Sequence, residues 1–420
     1  MPLNFYLGDE MKSSLYNIFF PYEEKFILYN AASGNVILTD RAEISGGDVP
    51  TGKLSAMGFL VEENLDEFQN LVERAEAHIC SSRKNKFRIL TTTACNAKCP
   101  YCYEKGAAIY SMNKATAEKT AAFVADLSKN KRELEIEWFG GEPLLNAAAI
   151  DYFTEKLNAL KPDALKFEAS MISNGYLVND AIIQKMRGVW NVKRVQITLD
   201  GLATEYERVK SLGKNSFDRV IENISKLCAA DIQVDIRLNF GVENVSHIEA
   251  VIEFLSQCDF KNKIYVYVAK INTDEKTDKF LLEQETIYLC NVLYRYGFLR
   301  TKDILPKTLK SPCAACRADY FTVHPSGKLY KCDRKMLSEK SIGDVENYDI
   351  AELTKKTKSW LGVKVEERCK KCSLLPLCWN GCIYDRLNGL DRCYLTRGIV
   401  GNRLKLFVRE IMNRKAAHGR

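Results

Sequence analysis

The sequence lacks the features of a membrane-bound or secreted protein. No stretch approaches the roughly 18 consecutive apolar residues of a membrane-spanning helix. The N-terminus lacks the basic start and the apolar core of a secretory signal. Charge of one sign is also scarce, because a net charge of +7 is spread over 420 residues in which basic and acidic side chains alternate. We therefore expect a cytoplasmic protein that binds neither a membrane nor nucleic acid.

Cysteine, in contrast, is abundant. The chain has 15 cysteines and only 4 histidines. Without a secretory signal, this number indicates metal binding rather than a disulfide framework. Eleven cysteines fall into two short regions, at residues 95–102 and 313–393. The other four lie singly in segments with helical patterns and are predicted to be buried small apolar side chains: Cys80, Cys228, Cys258 and Cys290.

The hydrophobic pattern divides the chain into four parts. Residues 1–85 predict a small module with a hairpin and a helix, and residues 86–296 alternate strands with helices. Residues 297–395 are rich in cysteine, glycine and proline, and residues 396–420 predict a C-terminal amphipathic helix. The predicted strands of the second part span residues 87–92, 134–139, 167–172, 194–199, 234–240 and 264–268. Six such units in a row indicate an α/β fold with a parallel sheet, either doubly wound or a barrel.

A loop with three cysteines follows the first of these strands directly. The cysteines are spaced as Cys-x3-Cys-x2-Cys and are Cys95, Cys99 and Cys102. Three thiolates can hold one cubane iron–sulfur cluster and leave one iron open for another ligand. A zinc site with a fourth ligand from elsewhere is the alternative, although no histidine lies nearby in sequence.

This loop, with Tyr101 at the aromatic position, resembles the signature of the radical S-adenosylmethionine (SAM) superfamily. Three further segments resemble superfamily motifs, and each lies at the end of a predicted strand. They contribute Gly140, Gly141, Glu142 and Pro143, then Ser173 and Asn174, then Thr198 and Asp200. An arginine of many relatives aligns with Lys210, and Arg208 lies close enough to replace it.

The resemblance implies a partial (β/α)6 TIM-like barrel that binds SAM and a [4Fe–4S] cluster. The residues of these motifs would contact SAM, with Glu142 offsetting the charge of its amino group. One electron from the cluster would cleave SAM to methionine and a 5′-deoxyadenosyl radical, which abstracts hydrogen from the substrate. The electron would come from an external reductant such as flavodoxin or ferredoxin.

The eight cysteines after the barrel resemble the SPASM domain, which houses two auxiliary [4Fe–4S] clusters. The resemblance assigns Cys313, Cys316, Cys332 and Cys382 to the first cluster and Cys369, Cys372, Cys378 and Cys393 to the second. Three [4Fe–4S] clusters and SAM are therefore the predicted cofactors. Two zinc sites with four thiolates each are the alternative from ligand count alone.

Two further features bear on the substrate. In sulfatase-maturating relatives, an aspartate after the third SPASM cysteine deprotonates the substrate, which makes Asp333 a candidate base; its alternative is a surface carboxylate paired with Arg334 or Lys335. Peptide-modifying relatives often carry a small winged-helix-like N-terminal domain that captures the leader of a precursor peptide by strand addition. The alternative for residues 1–85 is an extension that caps the barrel.

Three functions follow. The first is a maturase that installs a crosslink, most simply a thioether, in a ribosomally made precursor peptide bound through its leader. The second is oxidation of a Cys or Ser side chain of a sulfatase to formylglycine. The third is a non-catalytic iron–sulfur electron carrier, against which the complete SAM motifs count.

Overall fold

The computed structural model describes residues 10–40, 50–80, 83–271, 279–299, 301–337, 340–390, 393 and 395–418. Its N-terminal module has two small antiparallel sheets, β1 with β5 and β2–β3–β4. The elements are β1 (Met11–Ser13), β2 (Asn17–Tyr22), β3 (Lys25–Asn30), β4 (Val36–Thr39), α1 (Thr51–Ala56), β5 (Leu60–Glu62) and α2 (Glu67–Cys80). The hairpin turns at Glu23, which has a φ of +52°. The winged-helix-like description of this module stays a prediction.

A parallel sheet forms the centre of the molecule. Its strands are β6 (Lys84–Thr92), β7 (Glu133–Gly140), β8 (Lys166–Ser173), β9 (Val192–Leu199), β10 (Gln233–Phe240) and β11 (Ile264–Lys270). They pair in the order of the chain. A doubly wound sheet would reverse its order at a switch point, so the winding in one direction favours the barrel-like arrangement. The predicted α/β class with a central parallel sheet is confirmed.

Helices follow the strands and cover one face of the sheet. They are α3 (Lys114–Ser128), α4 (Ala147–Leu160), α5 (Asp180–Arg187), α6 (Ala203–Lys210), α7 (Ser216–Ala229), α8 (Val245–Gln257) and α9 (Lys279–Arg295). Alternate strand residues, such as Ile136, Ile197 and Ile236, are fully buried against these helices in the main core. Helix α6 is absent from the sequence-based prediction, because its N-cap is Leu202 and no side chain caps it.

The opposite face of the sheet is polar and lines a cavity of about 560 Å³ that touches the five strands β6–β10. Residues of both charges line it, among them Lys86, Glu137, Arg194 and Asp235. A parallel sheet covered on both faces has apolar strands. Here each strand alternates between apolar and polar residues, so one face is packed and the other is open.

The cysteine-rich segment joins the barrel through its first strand. Strand β12 (Phe321–Val323) pairs in parallel with β6, and β13 (Lys328–Tyr330) and β14 (Gly343–Asp344) extend the sheet to nine strands. The remaining helices are α10 (Thr301–Ile304), α11 (Ile350–Lys356), α12 (Glu367–Lys370), α13 (Leu375–Cys378), α14 (Ile383–Leu387) and α15 (Arg397–His418). No helix in the described ranges is long and apolar enough to cross a bilayer.

The N-terminal module shares a second hydrophobic core with the end of the chain. Tyr16, Ile18 and Tyr29 of the module pack in one cluster with Trp379 and with Leu404 of α15. The Tyr29 hydroxyl also donates a hydrogen bond to the Pro306 carbonyl oxygen at 3.0 Å. The module is therefore tied to the cysteine-rich segment. The three boundaries between the four parts stay predictions, and Ser81 and Ser82, next to the first of them, lie outside the described residues.

Candidate active site

The three-cysteine loop begins just after β6 and is fixed by backbone contacts. The Thr93 N–H donates to the Tyr110 carbonyl at 2.9 Å, and the Lys98 N–H donates to the Lys210 carbonyl at 2.8 Å. Partial desolvation of the thiol, together with the charges of Glu142, Cys99 and Cys102, raises the pKa of Cys95 to about 11. The three thiols are therefore close enough to interact.

These thiols fit a cluster by the chemistry of their donor set. Thiolates are the preferred ligands of cubane clusters. Cys95 is exposed, whereas Cys99 and Cys102 are half-buried, so the three-cysteine loop lies at the protein surface. In the part of the chain that is described, no three Cys, His, Asp or Glu side chains are close enough to hold a single metal ion. The assignment of the cluster therefore stands on the donor chemistry.

The two glycines after β7 allow the close approach of two backbone segments. Gly140 has a φ of +143°, and a β-carbon there would lie 2.2 Å from the Thr92 carbonyl oxygen. A β-carbon on Gly141 would lie 2.3 Å from the Ala94 carbonyl oxygen. The pair therefore brings the β7 turn against the start of the cysteine loop. Pro143 is buried in the same turn, and its carbonyl accepts a hydrogen bond from Thr91 at 2.9 Å.

Glu142 is fully buried and joins two strand ends. Its carboxylate accepts hydrogen bonds from the Ser173 hydroxyl at 2.9 Å, the Asn174 N–H at 2.8 Å and the Leu144 N–H at 3.1 Å. Burial raises its pKa to about 6, and these hydrogen bonds oppose the rise. The Asn174 side chain in turn donates to Asn96 in the cysteine loop at 2.7 Å. Glu142 thus organises the strand ends, in addition to the predicted contact with a SAM amino group.

A buried ion pair closes the other side of the cysteine loop. The Lys210 ammonium lies 2.9 Å from the Asp200 carboxylate, and both side chains are almost completely buried. The Tyr101 hydroxyl donates to Asp200 at 2.5 Å. Thr198 is half-buried at the end of β9. The structure thus brings Tyr101, Asp200 and Lys210 together at the predicted SAM site.

Arg208 is the predicted SAM contact that the structure does not bring to this group. Its side chain is 68% exposed and pairs with Glu205 at 2.5 Å on the surface of α6. Side chains two positions apart on a helix point to different sides of it. Lys210 therefore belongs to this buried group and Arg208 does not.

A substitution pair on α6 tests this assignment. We expect Lys210→Ala to lower the free energy of unfolding by about 3–5 kcal/mol, because it leaves a buried carboxylate without its partner. Arg208→Ala, in the same helix, should leave stability and SAM binding unchanged. Urea denaturation and calorimetric SAM titration of the cluster-loaded proteins measure both quantities. Equal losses for the two variants would contradict the assignment.

Electrostatic effects connect the later thiols within the two predicted ligand groups. Burial raises the pKa of Cys332 to about 12, and the charges of Asp333, Cys313 and Cys382 add to this effect; Cys316 interacts with Cys313 in the same way. The pKa of Cys378 is raised by burial and by the charges of Cys372, Cys393 and Cys369. The assignment of these two groups to two clusters stays a prediction. Among the four single cysteines Cys228 is buried, but Cys80 is exposed, so the prediction of burial was wrong there.

Asp333 is buried beside the first of these groups and is held by residues that sequence reasoning missed. Its carboxylate pairs with the Arg88 guanidinium and accepts a hydrogen bond from the Tyr103 hydroxyl at 2.6 Å. Arg88 also pairs with Glu137 at 2.6 Å. Arg334 instead pairs with Asp385 at 2.8 Å. The alternative of a surface carboxylate paired with Arg334 is therefore wrong.

The polar face of the sheet was also missed. Its signal was present as charged residues at alternate positions of strands that were predicted to be parallel, for example Lys84, Lys86 and Arg88 in β6. Such alternation is unusual for strands that are buried on both faces. It indicated an open cavity beneath the strand ends.

Comparisons with known proteins agree with this site. Residues 89–255 match the family model described as the Radical SAM superfamily. The chain is 24% identical over 323 residues to a cysteine-type anaerobic sulfatase-maturating enzyme of Clostridium novyi, covering 69% of this chain and 84% of the relative. It is 20% identical to a serine-type enzyme of Klebsiella aerogenes, covering 69% and 77%.

Two solved structures share the fold. A structure described as anSMEcpe with bound AdoMet has a TM-score of 0.61 at 19% identity and covers 79% of this chain and 97% of its own. Streptococcus suis SuiB has a TM-score of 0.50 at 14% identity and covers 92% and 99%. The predicted resemblance is confirmed. Residues 89–255 are therefore a radical SAM domain, with the [4Fe–4S] cluster and SAM that this superfamily implies, and the chain is a radical SAM enzyme homologous to the anaerobic sulfatase-maturating enzymes.

Proposed function

We propose that this enzyme is a maturase that installs a crosslink, most simply a thioether, in a ribosomally made precursor peptide. The radical SAM domain argues against the hypothesis of a non-catalytic electron carrier, because a carrier needs no SAM site. When bound, the cluster and SAM supply one-electron cleavage of SAM and a radical that abstracts hydrogen from the substrate. A thioether then requires loss of two hydrogen atoms, one from the Cys thiol and one from a carbon, and removal of two electrons in total.

The N-terminal module is the observation that supports a peptide substrate. It contains a three-stranded sheet in which β2 and β4 pair only with β3 among the described residues. An extended peptide can add to such an outer strand through main-chain hydrogen bonds. The exposed side chain of Leu38 lies on β4. The SuiB fold also covers more of this chain than the anSMEcpe fold does, 92% against 79%.

The two groups of four thiols support the loss of the second electron. Each group provides the number of thiolates that a [4Fe–4S] cluster requires. We propose that Cys313, Cys316, Cys332 and Cys382 hold the inner auxiliary cluster. The set of Cys369, Cys372, Cys378 and Cys393 would hold the outer one. An auxiliary cluster can accept an electron because ligation and burial set its potential. A flavodoxin or ferredoxin as the first electron donor remains part of the proposal.

Asp333 is proposed as the base that takes the thiol proton of the substrate. It is almost completely buried, next to Cys332, and its two oxygens are oriented by Arg88 and Tyr103. A positioned carboxylate is suited to proton transfer. Arg88 pairs with this carboxylate, and a second pair with Glu137 holds Arg88 in place.

The experiment is anaerobic co-expression with candidate precursor peptides, followed by mass spectrometry. We expect Asp333→Asn to lower product formation by about a hundredfold or more, since the base is lost while the shape is kept. Deoxyadenosine release should fall less than product formation. Asp319→Asn is the matched control, because Asp319 pairs with Lys131 and Arg317 outside this group. Full product formation by Asp333→Asn would exclude the role of base.

Formylglycine formation is the second candidate, because the homologous enzymes carry that name and cover 69% of this chain. The same mass spectra separate the two reactions. A thioether removes two hydrogen atoms and keeps the sulfur, whereas oxidation of Cys to formylglycine replaces the sulfur by oxygen. Retention of sulfur in the product therefore supports the crosslink.

A further inference from the structure

The polar cavity contains one buried carboxylate oxygen without a hydrogen-bond partner. Asp235 on β10 lines the cavity and is 8% exposed. Its Oδ2 lies 3.3 Å from Arg194, whose side chain is 61% exposed, and its Oδ1 has no hydrogen-bond partner. Burial raises the pKa of Asp235, while Arg194 and Gln233 lower it.

Two other carboxylates on the same wall pair with cationic side chains of the protein. Glu135 pairs with Lys84 at 2.7 Å and with Lys86 at 2.8 Å. Glu137 pairs with Arg88 at 2.6 Å. A buried acceptor without a hydrogen-bond partner destabilises the protein, and more so when it is charged. The unpaired Oδ1 of Asp235, which is itself buried, is thus the acceptor on this wall that gains the most from a hydrogen-bond donor.

Asp235 lies below the predicted radical site. In the register of the sheet it pairs with Gln196, two residues before Thr198 at the end of β9. At about 3.3 Å per residue, the level of Asp235 and the level of Thr198 are about 7 Å apart along the strands. A lysine side chain, a four-carbon stem with an ammonium group, has a similar length. A cation on Asp235 would therefore place its own backbone near the level of Thr198.

We infer that the cavity binds a cationic group of the peptide substrate, an ammonium or guanidinium, on Asp235. This inference rests on the proposed peptide substrate and assigns the polar face of β10 to its recognition. Two sources supply such a cation, a side chain and a free N-terminus, and the probes below distinguish them. In both cases the carboxylate gains the hydrogen bond that it lacks, and the wall gains a positive charge beside a buried negative one.

Small probes on the full, cluster-loaded chain test this inference without turnover. The three probes are Nα-acetyl-lysine methylamide, its neutral norleucine analogue, and dialanine amide with a free N-terminus. Their dissociation constants are measured by ligand-observed NMR titration. We expect the lysine probe to bind at least tenfold more tightly than the norleucine probe, because only the cation donates to Asp235. Tighter binding of dialanine amide than of the lysine probe would assign the N-terminus as the source.

Two substitutions complete the test. Asp235→Asn keeps the shape and removes the charge, and we expect it to abolish the preference for the cation over norleucine. Glu168→Gln removes a charge from the exposed rim of the same wall and should retain most of that preference. Equal binding of the cationic probes and norleucine by the unaltered chain would overturn the inference, as would an unchanged preference in Asp235→Asn. Neither result affects the proposed crosslink, which the mass spectra decide separately.

Discussion

Replacing Cys95, Cys99 and Cys102 together by alanine should abolish SAM cleavage completely. The reason is that these thiols are the only predicted ligands of the cluster that delivers the electron to SAM. Iron should fall from about 12 to about 8 per chain, because one cubane of three is lost. Deoxyadenosine release after reduction with dithionite measures SAM cleavage, and iron and sulfide analysis after anaerobic reconstitution measures the cluster content.

A control separates loss of the cluster from loss of any thiol. Cys258→Ala and Cys290→Ala remove two half-buried thiols outside the three groups and should leave the iron content unchanged. Zinc as the dominant metal after anaerobic purification would contradict the assignment of all three groups. Retention of about 12 iron in the triple variant would contradict the assignment of the first group alone.

Deleting residues 1–83 should yield a chain that precipitates or loses its outer group of four thiols. The deletion uncovers Leu375, Trp379, Val400 and Leu404, which are almost fully buried in the shared core. Burial of each such side chain contributes roughly 1.5–3 kcal/mol, and a protein of this kind is stable by only about 5–15 kcal/mol in total. Solubility, iron content and the near-ultraviolet circular dichroism of the truncated chain measure this outcome.

A point substitution tests leader recognition without removing the N-terminal module. Leu38→Glu alters an exposed side chain on β4 and leaves the shared core intact. If β4 adds a leader strand, this variant should bind the precursor more weakly while its iron content stays that of the unaltered chain. A soluble truncation with all its iron would show that the shared core is dispensable, and precursor affinity could then be compared directly between the two chains.

The barrel was accessible to sequence reasoning because its signals are local. Strands β6–β11 lie within a few residues of the predicted bounds, since each element carries its own hydrophobic period and its own turn residues. The cysteine groups were accessible as well, because metal ligands are visible as residue types at fixed spacing.

What the sequence could not reveal depends on contacts between distant segments. Nothing near Asp333 indicates that Arg88, 245 positions away, will hold its carboxylate. Lys210 and Arg208 are both basic residues in one motif, and only the direction of each side chain on α6 separates the buried one from the exposed one. The packing of the N-terminal module against Trp379 is equally invisible to a local pattern.

The pairing of β12 with β6 has a consequence for synthesis of the chain on the ribosome. The first barrel strand emerges early, whereas its outer neighbour, the segment around Phe321, emerges only after the whole barrel has been made. Until then the outer edge of β6 presents unpaired amide and carbonyl groups, which are a template for association with other nascent chains. Truncation before residue 321 therefore leaves this edge open even when every barrel helix is complete. We expect fragments that end before residue 321 to express poorly. Co-expression of a chaperone that binds unfolded chains should raise their soluble yield.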